Sequence, residues 1–290
     1  MEFQRRPSTL AYMLRAFYPT RLRKRGSFPP LSAKWKRHRI DRRHLEEFLA
    51  LTGLRADSKL PLLYPQVFGF PLQMAILTHP ALPLPIWNSL QIRNHLLQHR
   101  PIAVDAVLDL ETRVAHQRCL EKGAEVDLHT SVWSQHELVW ESLNTFYYRG
   151  RHGEPGPESA RARAPDTGGE TLAQWHMAMG PGWRFCGLTG DYNGIHWSRR
   201  YARLFGFRHA FHHPQLVLGQ CMTHLPLLDP ALPRRLDAWL KGPVYYDSDV
   251  QLRAAHSADG LTFALLAAGD ERPAILGRWQ QASAGEDPLH

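Results

Sequence analysis

One hexapeptide pattern occurs twice in this chain. Phe48-x-x-Leu51-Thr52-Gly53 returns as Phe185-x-x-Leu188-Thr189-Gly190, an offset of 137 residues. Tyr64-Pro65-Gln66-Val67 then returns as His213-Pro214-Gln215-Leu216, an offset of 149 residues. Two matches in the same order, each close to half of the 290 residues, read as an internal duplication. A duplicated chain folds as two copies of one unit, so whatever architecture serves one half must serve the other. The division that follows is a basic arm at 1–30, a first unit at 31–150, a linker at 151–169 and a second unit at 170–290. The linker is rich in Gly, Pro, Arg and Glu, with little to bury, and reads as mobile.

Each unit has the same succession of patterns. Residues 66–78 and 215–228 are apolar almost all round, as a buried helix is, and each has Pro at or beside its start, where the missing N–H costs nothing. Pro71 inside the first is expected to kink or shorten it. Alternating runs follow at 103–114, 125–134 and 137–148, and again at 244–254, 261–268 and 274–280. Their period near two and their Val, Trp, Tyr and Thr content predict antiparallel strands. The fold class is α+β, each unit an antiparallel sheet wrapped around one central helix.

Charge narrows the partners. The formal net charge is +8, yet residues 1–43 hold 13 Lys and Arg against two acids, and the remainder holds 22 against 25. The body is slightly acidic, which excludes a nucleic-acid-binding surface along its length. No run approaches the ~20 apolar residues that span a bilayer. Three widely spaced cysteines, Cys119, Cys186 and Cys221, form no C-x-x-C pair and suit a reducing, cytoplasmic setting.

The second unit carries twelve more residues than the first between its paired segments. This interval holds the densest polar cluster in an apolar neighbourhood, Thr189-Gly190-Asp191-Tyr192-Asn193-Gly194-Ile195-His196. Asp191 and His196 lie five apart across a glycine-bounded turn, so a carboxylate and an imidazole can converge on one water as a general acid/base pair. The same residues also suit a helix cap, with the histidine bonded to backbone. His209, His212, His213 and His224 gather near the second central helix without enough thiolate or carboxylate help for zinc, so no metal is expected. His213 reads equally as a substrate contact or as a buried structural histidine. Ser198 lacks a nucleophile elbow and reads as a cap. Asp247 and Asp249 read as solvent-facing.

Phe185-x-x-Leu188-Thr189-Gly190-Asp191-x-Asn193-x-Ile195-His196, with Ala202 beyond it and Gly206-Phe207-x-x-x-Phe211-x-His213 after that, resembles the signature of the MaoC-like (R)-specific enoyl-CoA hydratases, or hydratase 2 family. The resemblance implies a double-hotdog fold with a degenerate first half. It also implies that Asp191 and His196 activate a water for syn addition across a trans-2-enoyl thioester, or run the reverse dehydration. Asn193 would be a hydrogen-bonding or positioning residue in the same pocket. Gly190, His213 and Gln215 would bind substrate, with amides at the start of the central helix polarising the thioester carbonyl. No cofactor is required. The substrate would be an acyl-CoA or an acyl-carrier-protein thioester. A half without its own polar insert would leave room for a medium or long acyl chain.

Two positions depart from the family pattern. Gly194 stands where proline is usual, which loosens the turn. Pro214 stands where glycine is usual, and proline has no N–H to offer an oxyanion; Gln215 N–H, one position deeper, could replace it. Pro214 therefore keeps open a non-catalytic acyl-thioester-binding or assembly protein. A hotdog thioesterase is a third reading. In the arm, Leu10, Met13, Leu14 and Phe17 fall at helical spacing among Arg5, Arg6 and Arg15, with Arg21, Arg23, Lys24 and Arg25 following. This pattern suits an interfacial helix on an anionic membrane, a contact with an acidic carrier protein or with CoA phosphates, or a disordered basic tail. Exposed strand edges leave a homodimer open.

Overall fold

The computed structural model describes residues 1–17, 29–166, 168–257 and 260–283. Its first half contains β2 (Ser32–Arg39), α2 (Arg42–Thr52), α3 (Tyr64–Leu77), β3 (Ser89–Gln98), β4 (Val107–Leu120), β5 (Gly123–Ser134) and β6 (Glu137–Arg149). The second half repeats the series as β7 (Glu170–Met177), α4 (Pro181–Thr189), α6 (Pro214–His224), β8 (Arg234–Leu240), β9 (Ser248–Ser257), β10 (Gly260–Ala267) and β11 (Ile275–Gln281). One short helix, α5 (Arg199–Leu204), occurs only in the second half. Two further elements precede the repeat, β1 (Glu2–Phe3) and α1 (Thr9–Ala16).

All strands join one eleven-stranded sheet in the order β1-β2-β4-β5-β6-β3-β8-β11-β10-β9-β7. Read from its two ends toward the middle, β2-β4-β5-β6-β3 mirrors β7-β9-β10-β11-β8. The halves meet where β3 and β8 pair antiparallel, with Leu96 opposite Leu236. The duplication extends to single atoms. Thr52 Oγ1 donates to the Phe48 carbonyl at 2.8 Å and Thr189 Oγ1 to the Phe185 carbonyl at 3.2 Å. Gly53 and Gly190 then end their helices in the left-handed region, at φ 77° and 76°. Both phenylalanines are fully buried.

Every residue of α3 is buried, and it runs unbroken through Pro71. The shortening expected there does not occur: a proline in a helix interior costs about 3 kcal/mol, and burial of fourteen residues offsets it. The expected strands are all present, with β4 and β9 displaced a few residues toward the C-terminus. β2, β3, β7 and β8 were not legible, and β3 and β8 show why. Their outer positions bury polar groups instead of alternating with solvent. His95 Nδ1 lies 2.8 Å from Asp237 Oδ1 across the junction, Arg235 Nε donates to the same carboxylate, and Arg93 pairs with Glu125.

Two stretches read as loose are held to this frame. In the linker, Gly156 N–H donates to the Cys119 carbonyl, and Trp239 Nε1–H donates to that of Arg161 at 2.7 Å. The arm, read as an appendage, is part of the fold over its first 17 residues. β1 pairs parallel with β2, and Tyr12 on α1 is 1% exposed. Arg21, Arg23, Lys24 and Arg25 lie outside the described residues.

Candidate active site

After α4, three side chains in turn fold the chain back on itself. Thr189 Oγ1 accepts from Asp191 N–H at 3.1 Å, Asp191 Oδ1 from Asn193 N–H at 3.1 Å, and Asn193 Oδ1 from Ile195 N–H at 3.3 Å. Gly194–His196 is a single 3₁₀ turn, and Ser198 caps α5 through a bond from Tyr201 N–H. Capping and a polar cluster are therefore the same residues in two roles, because each side-chain acceptor also fixes where its neighbour points. Gly194 does more than loosen the turn: a Cβ there would stand 2.6 Å from Tyr201 Cγ, so the ring occupies the space a side chain would need.

The turn sets Asp191 and His196 beside His213, the residue that leads into α6. His213 Nε2–H donates to Asp191 Oδ2 at 3.1 Å. His196 Nε2 lies 3.8 Å from the same oxygen, and its Nδ1–H donates to the Phe211 carbonyl at 3.1 Å. That second bond fixes the tautomer, leaving the Nε2 lone pair toward Asp191. Both imidazoles are buried, with ring centres 4.6 Å apart. Burial pulls His196 down to about 4, helped by the charge of His213 and opposed by Asp191, so it is neutral at pH 7. Burial pushes the Asp191 carboxyl up, but the bond from His213 and the charges of both histidines outweigh it and hold the group at about 2. An ionised carboxylate and a neutral base thus face one point. The sequence left His213 undecided; its bond to Asp191 makes it the carboxylate's closest side-chain partner.

One donor atom from each of Asp191, His196 and His213 lies within 4.8 Å of the other two, a spacing that could hold a metal ion. His213 Nε2 and Asp191 Oδ2 are also within hydrogen-bond distance, at 3.1 Å, as in an acid–base pair.

Asp191, Asn193, His196 and His213 line one cavity, and so does Pro214. Gly190 and Gln215, expected to touch substrate, stand behind its wall. The Gly190 carbonyl accepts from Tyr12 Oη at 2.8 Å. Gln215 Nε2 donates to Gln91 Oε1 at 2.6 Å, and Gln91 continues through Asn144 to Gln66, the equivalent residue of the first half. The rest of the wall is mostly apolar, with Gln91, His212 and Lys241 among it, and much of it comes from elements the motif does not contain: Met13 and Ala16 on α1, Phe70 and Met74 on α3, and Trp87 and Leu90 before and on β3. The helical spacing in the arm signalled an apolar face, but nothing in the sequence shows that it faces this cavity.

The first half keeps the frame without the chemistry. Leu54 N–H bonds to Thr52 Oγ1 just as Asp191 N–H bonds to Thr189, so a leucine occupies the position of the carboxylate. Tyr64 occupies that of His213. Gly190→Ala should lower stability by about 2 kcal/mol, since the left-handed backbone alone costs 1–2 kcal/mol and the new Cβ would lie 2.3 Å from Tyr12 Oη. A melting temperature about 5 °C lower is expected, and an unchanged one would show that Tyr12 moves aside freely.

No family model matches the chain. The curated 3-hydroxyacyl-thioester dehydratase X of Mycobacterium tuberculosis is 28% identical over 190 residues, covering 64% of this chain and 66% of that one. The match therefore spans just under two thirds of that relative's length. A crystal structure of HtdX from the same organism superposes with a TM-score of 0.73 at 23% identity, over 87% of this chain and 100% of that one. A MaoC-like dehydratase from Phytophthora capsici does so with 0.69 at 17% identity, over 88% and 96%. The fold is thus the double hotdog of the MaoC-like dehydratases. The resemblance carried by residues 185–213 is borne out by these relatives.

Proposed function

We propose that this protein is a hydro-lyase that hydrates trans-2-enoyl thioesters to (R)-3-hydroxyacyl thioesters and dehydrates them in reverse. The observation that carries the reading is Asp191 Oδ2 and His196 Nε2 facing each other across 3.8 Å on the wall of a mostly apolar cavity. A water held there would give one proton to His196 Nε2 as its oxygen bonds to C3. The electron pair of the double bond moves toward C2 and the thioester carbonyl. The imidazolium then returns its proton to C2 on the same face, restoring the neutral base. Asp191 orients the water and balances the transient charge, and His213 holds Asp191.

Pro214 cannot donate to the carbonyl oxygen, and Leu216 N–H and Val217 N–H both bond to the His213 carbonyl. Asn193 supplies a replacement. It lines the cavity, and with its Oδ1 used by Ile195 N–H its Nδ2–H₂ is the group left to donate.

The apolar wall suits a medium or long acyl group, carried on coenzyme A or a carrier protein in the cytoplasm. Loss of the conjugated enoyl-thioester absorbance tests the reading with substrates of four, eight, twelve and sixteen carbons. Each methylene buried is worth ~0.8 kcal/mol, about four-fold in kcat/KM, until the cavity is full. Eight carbons or more should therefore outpace four by well over ten-fold. Equal turnover of four carbons would remove the chain-length claim. Tight acyl-thioester binding with no turnover at any length would favour the second reading, a binding protein disabled at Pro214. Among the described residues no helix is long and apolar enough to cross a membrane. β1 and β7 end the sheet, and we place any pairing of two chains on the longer edge, β7.

A further inference from the structure

α1 has two apolar faces, and among the described residues only one of them is covered. Tyr12 and Ala16 point inward, and Met13 and Ala16 form part of the cavity wall. Leu10, Leu14 and Phe17, at i, i+4 and i+7, are 68%, 65% and 70% exposed. Three large apolar side chains aligned on one exposed stripe are unlike the scattered surface leucines of an ordinary monomer. The helix is fixed from below by Tyr12 Oη on the Gly190 carbonyl and by Arg6 on that of Leu188. It is therefore presented rigidly. Phe17 also packs on Trp87 with ring centres 5.0 Å apart, and Trp87 Nε1–H donates to the Ala16 carbonyl at 2.7 Å. The exposed stripe is thus contiguous with the wall of the acyl cavity.

Charge selects what covers it. Arg15 lies on the helix beside Leu14, and Arg5 is exposed just ahead of it. In sequence, residues 1–43 carry 13 cations against two acids, whereas the rest of the chain is net acidic. An apolar stripe in a cationic surround is the composition that binds a negatively charged lipid surface, the side chains entering the acyl boundary while the arginines meet headgroups.

We propose that the outward face of α1 docks this protein on an anionic membrane, with the acyl cavity opening beside the bilayer. The helix geometry carries the docking; only its use in taking up long-chain acyl thioesters that partition to the bilayer surface rests on the hydratase reading.

Flotation of the full chain with vesicles tests it. Vesicles of equal phosphatidylglycerol and phosphatidylcholine should bind at least ten-fold more protein than phosphatidylcholine alone, with the excess lost in 0.5 M salt. Leu10→Ser/Leu14→Ser should reduce binding to the anionic vesicles by ten-fold or more. Both residues are exposed and outside the cavity, so its melting temperature and its turnover of a dissolved short-chain substrate should match the wild type. Wild-type protein that stays in solution, or a double variant that floats equally well, would overturn the proposal. So would a double variant that changes from dimer to monomer in light scattering, which would make the stripe a contact between copies of this chain. Binding to vesicles without enoyl-thioester turnover would leave the docking standing and remove the hydratase reading.

Discussion

Asp191→Asn and His196→Ala should each reduce kcat by about a thousand-fold, within the 10²–10⁴ range for a positioned acid or base, while leaving acyl-thioester binding within a few-fold. Asparagine keeps one oxygen for Asn193 N–H, so the turn survives, while its Nδ2–H₂ replaces the oxygen that accepts from His213 and the charge is lost. His196→Ala removes the base and leaves the Phe211 carbonyl without its donor, so it should also cost about 1–3 kcal/mol of stability. The wild-type rate should stay level as pH falls through 6.5, where an ordinary histidine base would begin to fail, because His196 titrates near 4. A variant at Asp191 that retains more than a tenth of the wild-type kcat would show that the water is activated elsewhere. A rate that halves near pH 6.5 in folded protein would show that His196 is not the base.

The second large effect is acid sensitivity of the fold. Burial holds His38, His196 and His212 near 4, with the charges of His44 and Arg6 adding to the effect at His38 and that of His213 at His196. An unfolded histidine takes up its proton near 6.5. Between those values the unfolded chain binds more protons than the fold, so stability is complete above pH 6.5 and is lost as pH falls toward 4. At pH 5 each such histidine costs about 2 kcal/mol and the three together about 6 kcal/mol, a large part of a typical total of 5–15 kcal/mol. Asp191 and Glu141, both held near 2, contribute stability that is lost only below about pH 4. Urea midpoints at pH 7, 6 and 5 should therefore fall steeply with little change in slope, and His212→Gln should flatten the trend by about a third. A midpoint independent of pH over that range would contradict the assignment.

How much of this was legible in the sequence follows from what each residue contacts. Local signals transferred well: the repeated Phe-x-x-Leu-Thr-Gly marks two helix ends that close with the same bonds, and the Asp191–His196 turn is built from neighbours bonding to neighbours. Period two located six strands; in β4, β9 and β11 it follows a more buried and a less buried face, while in β5, buried on both faces, polar and apolar side chains still alternate. It failed for β3 and β8, whose polar residues are paired across the middle of the sheet rather than facing water. Long-range partners left no trace. Tyr12 and Gly190 are 178 residues apart, and no pattern shows that they meet. His213 was undecided for the same reason, since its partner lies 22 residues back across a turn.

The seam between β3 and β8 sets how the molecule can come apart. His95 and Asp237 belong to different halves and are each about 1% exposed. Separating the halves would part His95 from Asp237, which keeps only Arg235 and Arg278, leave two buried strand edges open, and cut the amide relay that runs from Gln66 through Asn144 and Gln91 to Gln215. Either copy released alone would carry an exposed, sticky flank, so cutting the gene at its midpoint would not yield two independent proteins. The first copy shields that flank of the second, a duty that asks nothing catalytic of its Leu54 and Tyr64.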